Sequence, residues 1–282
     1  ISTNGTTMTA ARARRLAQMS LVDVQVSVDG ALAGTNDALR GDGSWAAACR
    51  ALEELADAGL QGCKLSVVLT RHNAGELDAL EALATRHGGQ LRLTRLRPSG
   101  RGAAVWADLR PTAEQQRHVH RWLVERPWVL TGDSFFHLSA LGESLPGLGM
   151  CGAGRVVCLV DPLGDVYPCP FVLHPDFRAG SVLAPGGLAQ VWRHSPLLSD
   201  ARQEQAAAPC ATCGAYASCQ GGCMAAKLFT GLALDGPDPE CALGRAEPAL
   251  ATAAGGPLPL PGPSHSRTGP SPRPVPVGLR RE

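Results

Sequence analysis

The chain has 282 residues, a formal net charge of +1 and 44% hydrophobic residues. That length can bury a sizeable core in one large or two modest domains. The near-neutral charge leaves no electrostatic footprint for nucleic acid, and with no run of 18 apolar residues no membrane span is expected. No secretory leader is visible either, so the expected compartment is the cytoplasm. There ten cysteines point to metal or redox use rather than to a disulfide framework.

The chain begins with Ile1 rather than Met, and Ser2-Thr3-Asn4-Gly5-Thr6 reads as the end of a strand. It is therefore expected to be a fragment whose N-terminal part is absent. Val22 to Gly30 is a β-branched run closed by Asp-Gly, a buried strand entering a loop. Ser44 to Gly59 reads as a helix capped by Ser44 and stopped by Gly59. Cys63 to Thr70 is the next strand, Gly75 to His87 a helix, and Leu91 to Gly102 a strand running into a Ser/Gly/Arg loop. Pro111 and Thr112 then start a helix that ends before Pro127. Alternating strands and helices with short loops imply a parallel sheet with helical crossovers. About four such units are too few for an eight-fold barrel and suit a partial barrel or an open sheet. A truncated barrel would leave an unpaired edge strand, so poor solubility is expected.

Residues 129–244 change character, with short strands, Gly-rich turns and eight of the ten cysteines. Arg155–Asp161 and Asp165–Cys169 read as a hairpin closed by Pro162-Leu163-Gly164. Residues 245–282, rich in Pro, Gly, Ser and Arg, read as a disordered tail. Cysteines this dense ask for a soft metal centre. A structural zinc takes two short-spaced pairs, and here only Cys210 and Cys213 form one. The other spacings suit iron–sulfur clusters that gather ligands from a loop and a later segment, with zinc as the alternative. Cys49 and Cys63 read as buried structural thiols, and His118, His120 and His137 as surface or packing residues.

Cys151-x12-Gly164-x4-Cys169, then Cys210-x2-Cys213-x5-Cys219-x3-Cys223, then Cys241, resembles the seven-cysteine pattern of the SPASM domain at every position. Such domains follow radical S-adenosylmethionine (radical SAM) barrels that modify peptides, and they carry two auxiliary [4Fe-4S] clusters. The resemblance implies Cys151, Cys169 and Cys223 for the first cluster, and Cys210, Cys213, Cys219 and Cys241 for the second. Cys158 is a candidate fourth ligand of the first, and the hairpin decides it. With a four-residue turn it shares a face with Cys169 and lies diagonal to it; with a three-residue loop the register slips and it turns away.

The first region resembles strands three to six of a radical SAM barrel. The expected fold is thus α/β: a partial (β/α)6 radical SAM barrel lacking its first strands (1–128), a SPASM domain (129–244) and a tail (245–282). Ser27 and Arg40 stand where such barrels hold S-adenosylmethionine. The C-x3-C-x2-C loop for a third [4Fe-4S] cluster is absent from this chain, so radical formation is expected only in the full-length enzyme. Arg95-Leu96-Arg97-Pro98-Ser99-Gly100-Arg101-Gly102, Cys158 to Phe171 and Gly221 to Cys241 resemble the mycofactocin maturase family. Pro170 stands where the sulfatase-maturing branch has an acidic residue, which argues against that branch.

Resemblance to the mycofactocin family implies oxidative decarboxylation of the C-terminal tyrosine of a precursor peptide, followed by a Val–Tyr carbon–carbon link. Its expected partners are that peptide, a small peptide-binding chaperone protein and an electron donor such as ferredoxin or flavodoxin. Two alternatives remain at this point: another SPASM peptide maturase, and a non-catalytic scaffold holding zinc or idle clusters.

Overall fold

The computed structural model describes residues 1–131, 135–142, 145, 148, 150–203 and 206–253. Its first region is a four-stranded parallel sheet in the order β1 (Ser2–Thr3), β2 (Gln25–Ser27), β3 (Lys64–Leu69), β4 (Gln90–Arg95). The crossovers carry α1 (Ala10–Ala17), α2 (Ala33–Arg40), α3 (Ser44–Asp57) and α4 (Leu77–Arg86). After β4 come a 3-10 turn over Gly100–Ala104, α5 (Trp106–Leu109) and α6 (Ala113–Val124). Leu130 then bonds alongside β4, its N–H donating to Leu91 O and its carbonyl accepting from the Leu93 N–H. Strand–helix alternation is what made this sheet legible in advance.

Each strand presents two different faces, because side chains alternate with period two. Val26, Val28, Leu65, Val67, Leu69, Leu91 and Leu93 are buried in one core with α3, α4 and α6. The opposite face carries Gln25, Ser27, Lys64, Ser66, Gln90, Arg92 and Thr94, brought into line by the registers Gln25↔Lys64↔Gln90 and Ser27↔Ser66↔Arg92. One side of the sheet thus lies on helices while the other is a polar, half-buried floor.

Helix ends mostly follow the expected chemistry. Thr112 and Gln115 form a reciprocal capping box at α6, satisfying two backbone donors that would otherwise be orphaned. Gly59, just past α3, adopts φ +79° and ends that helix. Ser44 does not cap α3 as expected, being its first helical residue. Asp37 supplies the oxygens instead, accepting the N–H groups of Gly43 (2.9 Å) and Trp45 (2.7 Å).

The second region holds a small antiparallel sheet, β5 (Leu159–Val160), β6 (Asp165–Tyr167) and β7 (Gly180–Ser181), with α7 (Gly187–His194) and α8 (Pro196–Arg202) beside it. The hairpin strands are shorter than expected because the Arg155, Val156 and Val157 N–H groups all turn back onto Gly152 O. Short helices α9 (Tyr216–Cys219) and α10 (Met224–Phe229) flank the second cysteine block. The stretch read as a tail begins with α11 (Glu247–Thr252); residues 254–282 lie outside the described residues. Among the described residues no helix is long and apolar enough to cross a membrane.

Candidate metal centres

The eight cysteines of the second region separate in space. Cys151, Cys169 and Cys223 pack with the large core that also contains Phe229 and Val172. Burial pushes the Cys169 thiol up to about 12, and the neighbouring Cys151 and Cys223 sulfurs add to that. Burial likewise raises Cys223 to about 11, with Cys151 contributing next and Arg95 opposing. The other set, Cys210, Cys213, Cys219 and Cys241, lines a single cavity together with His137, Tyr216, Gly221, Gly222 and Asp238. Burial raises Cys210 and Cys219 as well; Cys213 and Cys241 add to both, while Lys227 opposes the rise at Cys210 and the Gly221 amide at Cys219. Cys169, Cys223, Cys210 and Cys219 thus lie where burial disfavours a bare thiolate, so a cationic centre would provide the missing compensation.

Cys158 belongs to neither set. The pairs Leu159↔Tyr167 and Val160↔Val166 leave Pro162, Leu163 and Gly164 as a three-residue loop, closed by the Asp161 N–H donating to Asp165 O. Continuing that register sets Cys158 opposite Pro168, and therefore on the other face from Cys169. Its side chain packs with Val166, Val191 and Leu198 in a separate small core. Of the two hairpin registers expected, the structure has the three-residue loop, in which Cys158 turns away from Cys169.

Seven thiols, none paired in a disulfide, form a donor set suited to iron–sulfur chemistry. Among the described residues no three His, Cys, Asp or Glu side chains converge closely enough to hold a single metal ion. Gly222 shows how tightly the two sets meet. It adopts φ +82°, and a Cβ there would lie 2.7 Å from Asp238 Cγ.

Asp238 is a residue that sequence reasoning missed. Its Oδ2 accepts the Cys223 N–H at 2.8 Å, and its carboxylate receives Arg95 Nη1 at 2.9 Å and Nη2 at 2.6 Å. Arg95, at the end of β4, also pairs with Glu240, next to Cys241. All three side chains are 2% exposed. Burial alone would raise the Asp238 carboxyl, but Arg95, with His137 and the Cys223 amide, outweighs it and holds the group well below the ordinary range. Glu240 moves the other way: burial dominates over Arg95 and raises it. The bidentate geometry makes Asp238 the principal partner of the guanidinium. This buried triad ties the parallel sheet to both thiol sets across more than 140 residues of chain. Nothing local marks it: an Arg in a strand and an Asp-Pro-Glu before a cysteine are unremarkable apart.

The other expected site residues lie on the sheet. Ser27 ends β2 on the polar face. Arg40, the last residue of α2, sets its Nε 2.7 Å from Asp29 Oδ2, and Asp29 Oδ1 accepts the Val68 N–H at 2.7 Å. Both therefore gather at the C-terminal edge of β2, where a parallel sheet builds its sites. Arg97 stacks on Phe171, beside Cys169, at 3.3 Å to the ring centroid. His120 and His137 are buried, and His137 reaches the wall of the four-cysteine cavity, which no sequence signal indicated. Cys63 is buried in the helix–sheet core and Cys49 packs against it, both as expected of structural thiols.

A family model described as SPASM, an iron–sulfur cluster-binding domain, matches residues 151–214. The chain is 60% identical over 253 residues to the mycofactocin maturase MftC of Mycobacterium tuberculosis (strain ATCC 25618 / H37Rv), covering 89% of this chain and 65% of that protein. It is 61% identical to the mycofactocin maturase MftC of Mycobacterium ulcerans (strain Agy99), covering 89% and 69%. The chain thus spans about two thirds of the length of these curated relatives. In fold it is similar to native anSMEcpe with bound AdoMet (TM-score 0.60, 16% identity, 89% of this chain and 72% of that one). It is similar too to Streptococcus suis SuiB bound to the precursor peptide SuiA (TM-score 0.59, 14% identity, 86% and 58%).

Proposed function

The chain belongs to the mycofactocin maturase family of radical SAM proteins with a SPASM domain, and from that membership we propose that it forms part of a peptide-maturing enzyme. Residues 1–128 contribute the later strands of the radical SAM barrel and 129–244 the two-cluster domain. The observation that carries this reading is the sorting of seven buried and partly buried cysteines into two thiol sets joined to the sheet by Arg95. Cys151, Cys169 and Cys223 hold one auxiliary [4Fe-4S] cluster; Cys210, Cys213, Cys219 and Cys241 hold the other.

When bound to the complete enzyme, S-adenosylmethionine and a third [4Fe-4S] cluster supply the radical chemistry that abstracts hydrogen. This chain's own part is to bind and to position. Ser27 and Arg40 hold the cofactor, Arg40 being steadied by Asp29. The polar floor of the sheet receives the peptide, and the apolar face behind it keeps that floor rigid. The substrate is a precursor peptide ending in Val–Tyr, which undergoes oxidative decarboxylation and then carbon–carbon crosslinking. A small peptide-binding chaperone presents it, and a ferredoxin or flavodoxin delivers electrons. A cytoplasmic location suits thiols that must stay reduced.

Two measurements test this. Anaerobically prepared protein should contain about eight irons and eight sulfides per chain, as two four-iron clusters require; one or two zincs with little sulfide would move the protein to a metal-binding scaffold. The polypeptide extended to include a C-x3-C-x2-C loop, given the precursor peptide, S-adenosylmethionine and reductant, should release carbon dioxide from the peptide's C-terminus. An unchanged peptide mass would overturn the assignment of substrate.

A further inference from the structure

Resting on the peptide-maturation reading above, we propose that Arg92 is the residue that recognises the free C-terminal carboxylate of the peptide. Arg92 lies on the polar face of β4, level with Ser66 of β3 and Ser27 of β2. Two strand spacings separate it from Ser27, roughly 10 Å along one layer of the sheet. A group held by Arg92 therefore lies on the same floor as the expected cofactor site, within the reach of about three extended peptide residues.

The surroundings of the guanidinium point to an anion. Other cations near this floor are matched: Lys64 pairs with Asp23, Arg40 with Asp29, and Arg95 with Asp238 and Glu240. Arg92 has no carboxylate within 4.0 Å among the described residues. Its one hydrogen bond there is from Nη1 to the neutral Gln25 Oε1 at 2.7 Å. A guanidinium carries five donors in a planar fork. Gln25 takes one and fixes the plane, leaving donors that match the two oxygens of a carboxylate. A half-buried charge without a counter-ion is costly, and a bound carboxylate would relieve it. A peptide offers such a group at its C-terminus, and S-adenosylmethionine offers the same chemistry in its methionyl part.

Fluorescence anisotropy with the synthetic precursor peptide, as free acid and as C-terminal amide, separates these. The protein should bind the acid at least about tenfold more tightly than the amide, the usual worth of a charge-assisted hydrogen-bonded pair. Arg92→Gln should remove that preference by weakening the acid alone, and Arg92→Lys should restore part of it. Equal binding of acid and amide by the unaltered protein would overturn the proposal while leaving peptide binding intact. That comparison needs no substitution, so it decides even if a variant fails to fold. Weaker S-adenosylmethionine binding in Arg92→Gln, with peptide discrimination unchanged, would assign the guanidinium to the cofactor and refute the peptide role. Binding of neither peptide form would refute the peptide reading itself.

Discussion

Replacing Asp238 with Asn removes one charge from an ion cluster whose three side chains are each 2% exposed, and should be a costly isosteric change. The carboxylate accepts two bonds from Arg95, one from the Cys223 amide and one from the Glu240 amide. An amide side chain has one acceptor oxygen and would turn its NH2 toward donors. Arg95, 2% exposed, would then rely on Glu240, whose own carboxyl is raised by burial. Breaking a buried pair by removing one partner costs about 3–5 kcal/mol, because a charge is left uncompensated. Against a typical total of about 5–15 kcal/mol, that is a large fraction. Asp23→Asn is the control: Asp23 is 69% exposed and its partner Lys64 is partly exposed, at 22%, so the loss should be within about 1 kcal/mol. Urea unfolding of both variants, followed by circular dichroism under anaerobic conditions, gives the comparison through the midpoints. The Asp238 carboxyl lies below its unfolded value of 3.8, so its contribution is present above that pH and fades as pH falls below it; the Asn variant should lack this acid-dependent part. If Asp238→Asn costs no more than Asp23→Asn, the view of the triad as the joint between sheet and thiol sets is wrong.

Cys158→Ser should keep the iron and sulfide content of the unaltered protein, whereas Cys169→Ser should lose about four irons; equal losses by metal analysis would return Cys158 to the first set. Gly222→Ala places a methyl 2.7 Å from Asp238 Cγ at a backbone angle that disfavours side chains, so it should cost more than about 1 kcal/mol, read by the same urea midpoints; a neutral result would mean that the junction can open. Asp37 is depressed to about 2 by the N–H groups it caps, the Trp45 amide foremost. A depressed carboxyl stabilises the folded form above its unfolded pKa and loses that effect as pH falls through the folded one. Asp37→Asn should therefore flatten stability between pH 3.8 and 2 and speed amide exchange at Gly43 and Trp45; unchanged exchange would show that the cap is idle.

Much of this protein is local and was legible as sequence. Val22 to Gly30, Cys63 to Thr70 and Leu91 to Arg95 announce strands because β-branched and aliphatic residues cluster between turn residues. Pro111 and Thr112 announce a helix start because a cap needs only neighbours in the chain. Even the two cysteine blocks, spaced as a cluster-binding domain spaces them, are a one-dimensional pattern. Three decisions belonged to the tertiary structure alone. Cys158 left the first thiol set because the hairpin loop has three residues rather than four, and a slip of one residue in a period-two strand reverses every side chain beyond it. Arg92 came level with Ser27 because parallel registers are set by how strands settle on their helices, which no local spacing encodes. Asp238 met Arg95 only after 143 residues of chain had folded back, while the Cys223 amide lies 15 residues away. A buried charge acquires meaning from the partner that compensates it, and that partner is chosen by packing rather than by sequence neighbourhood.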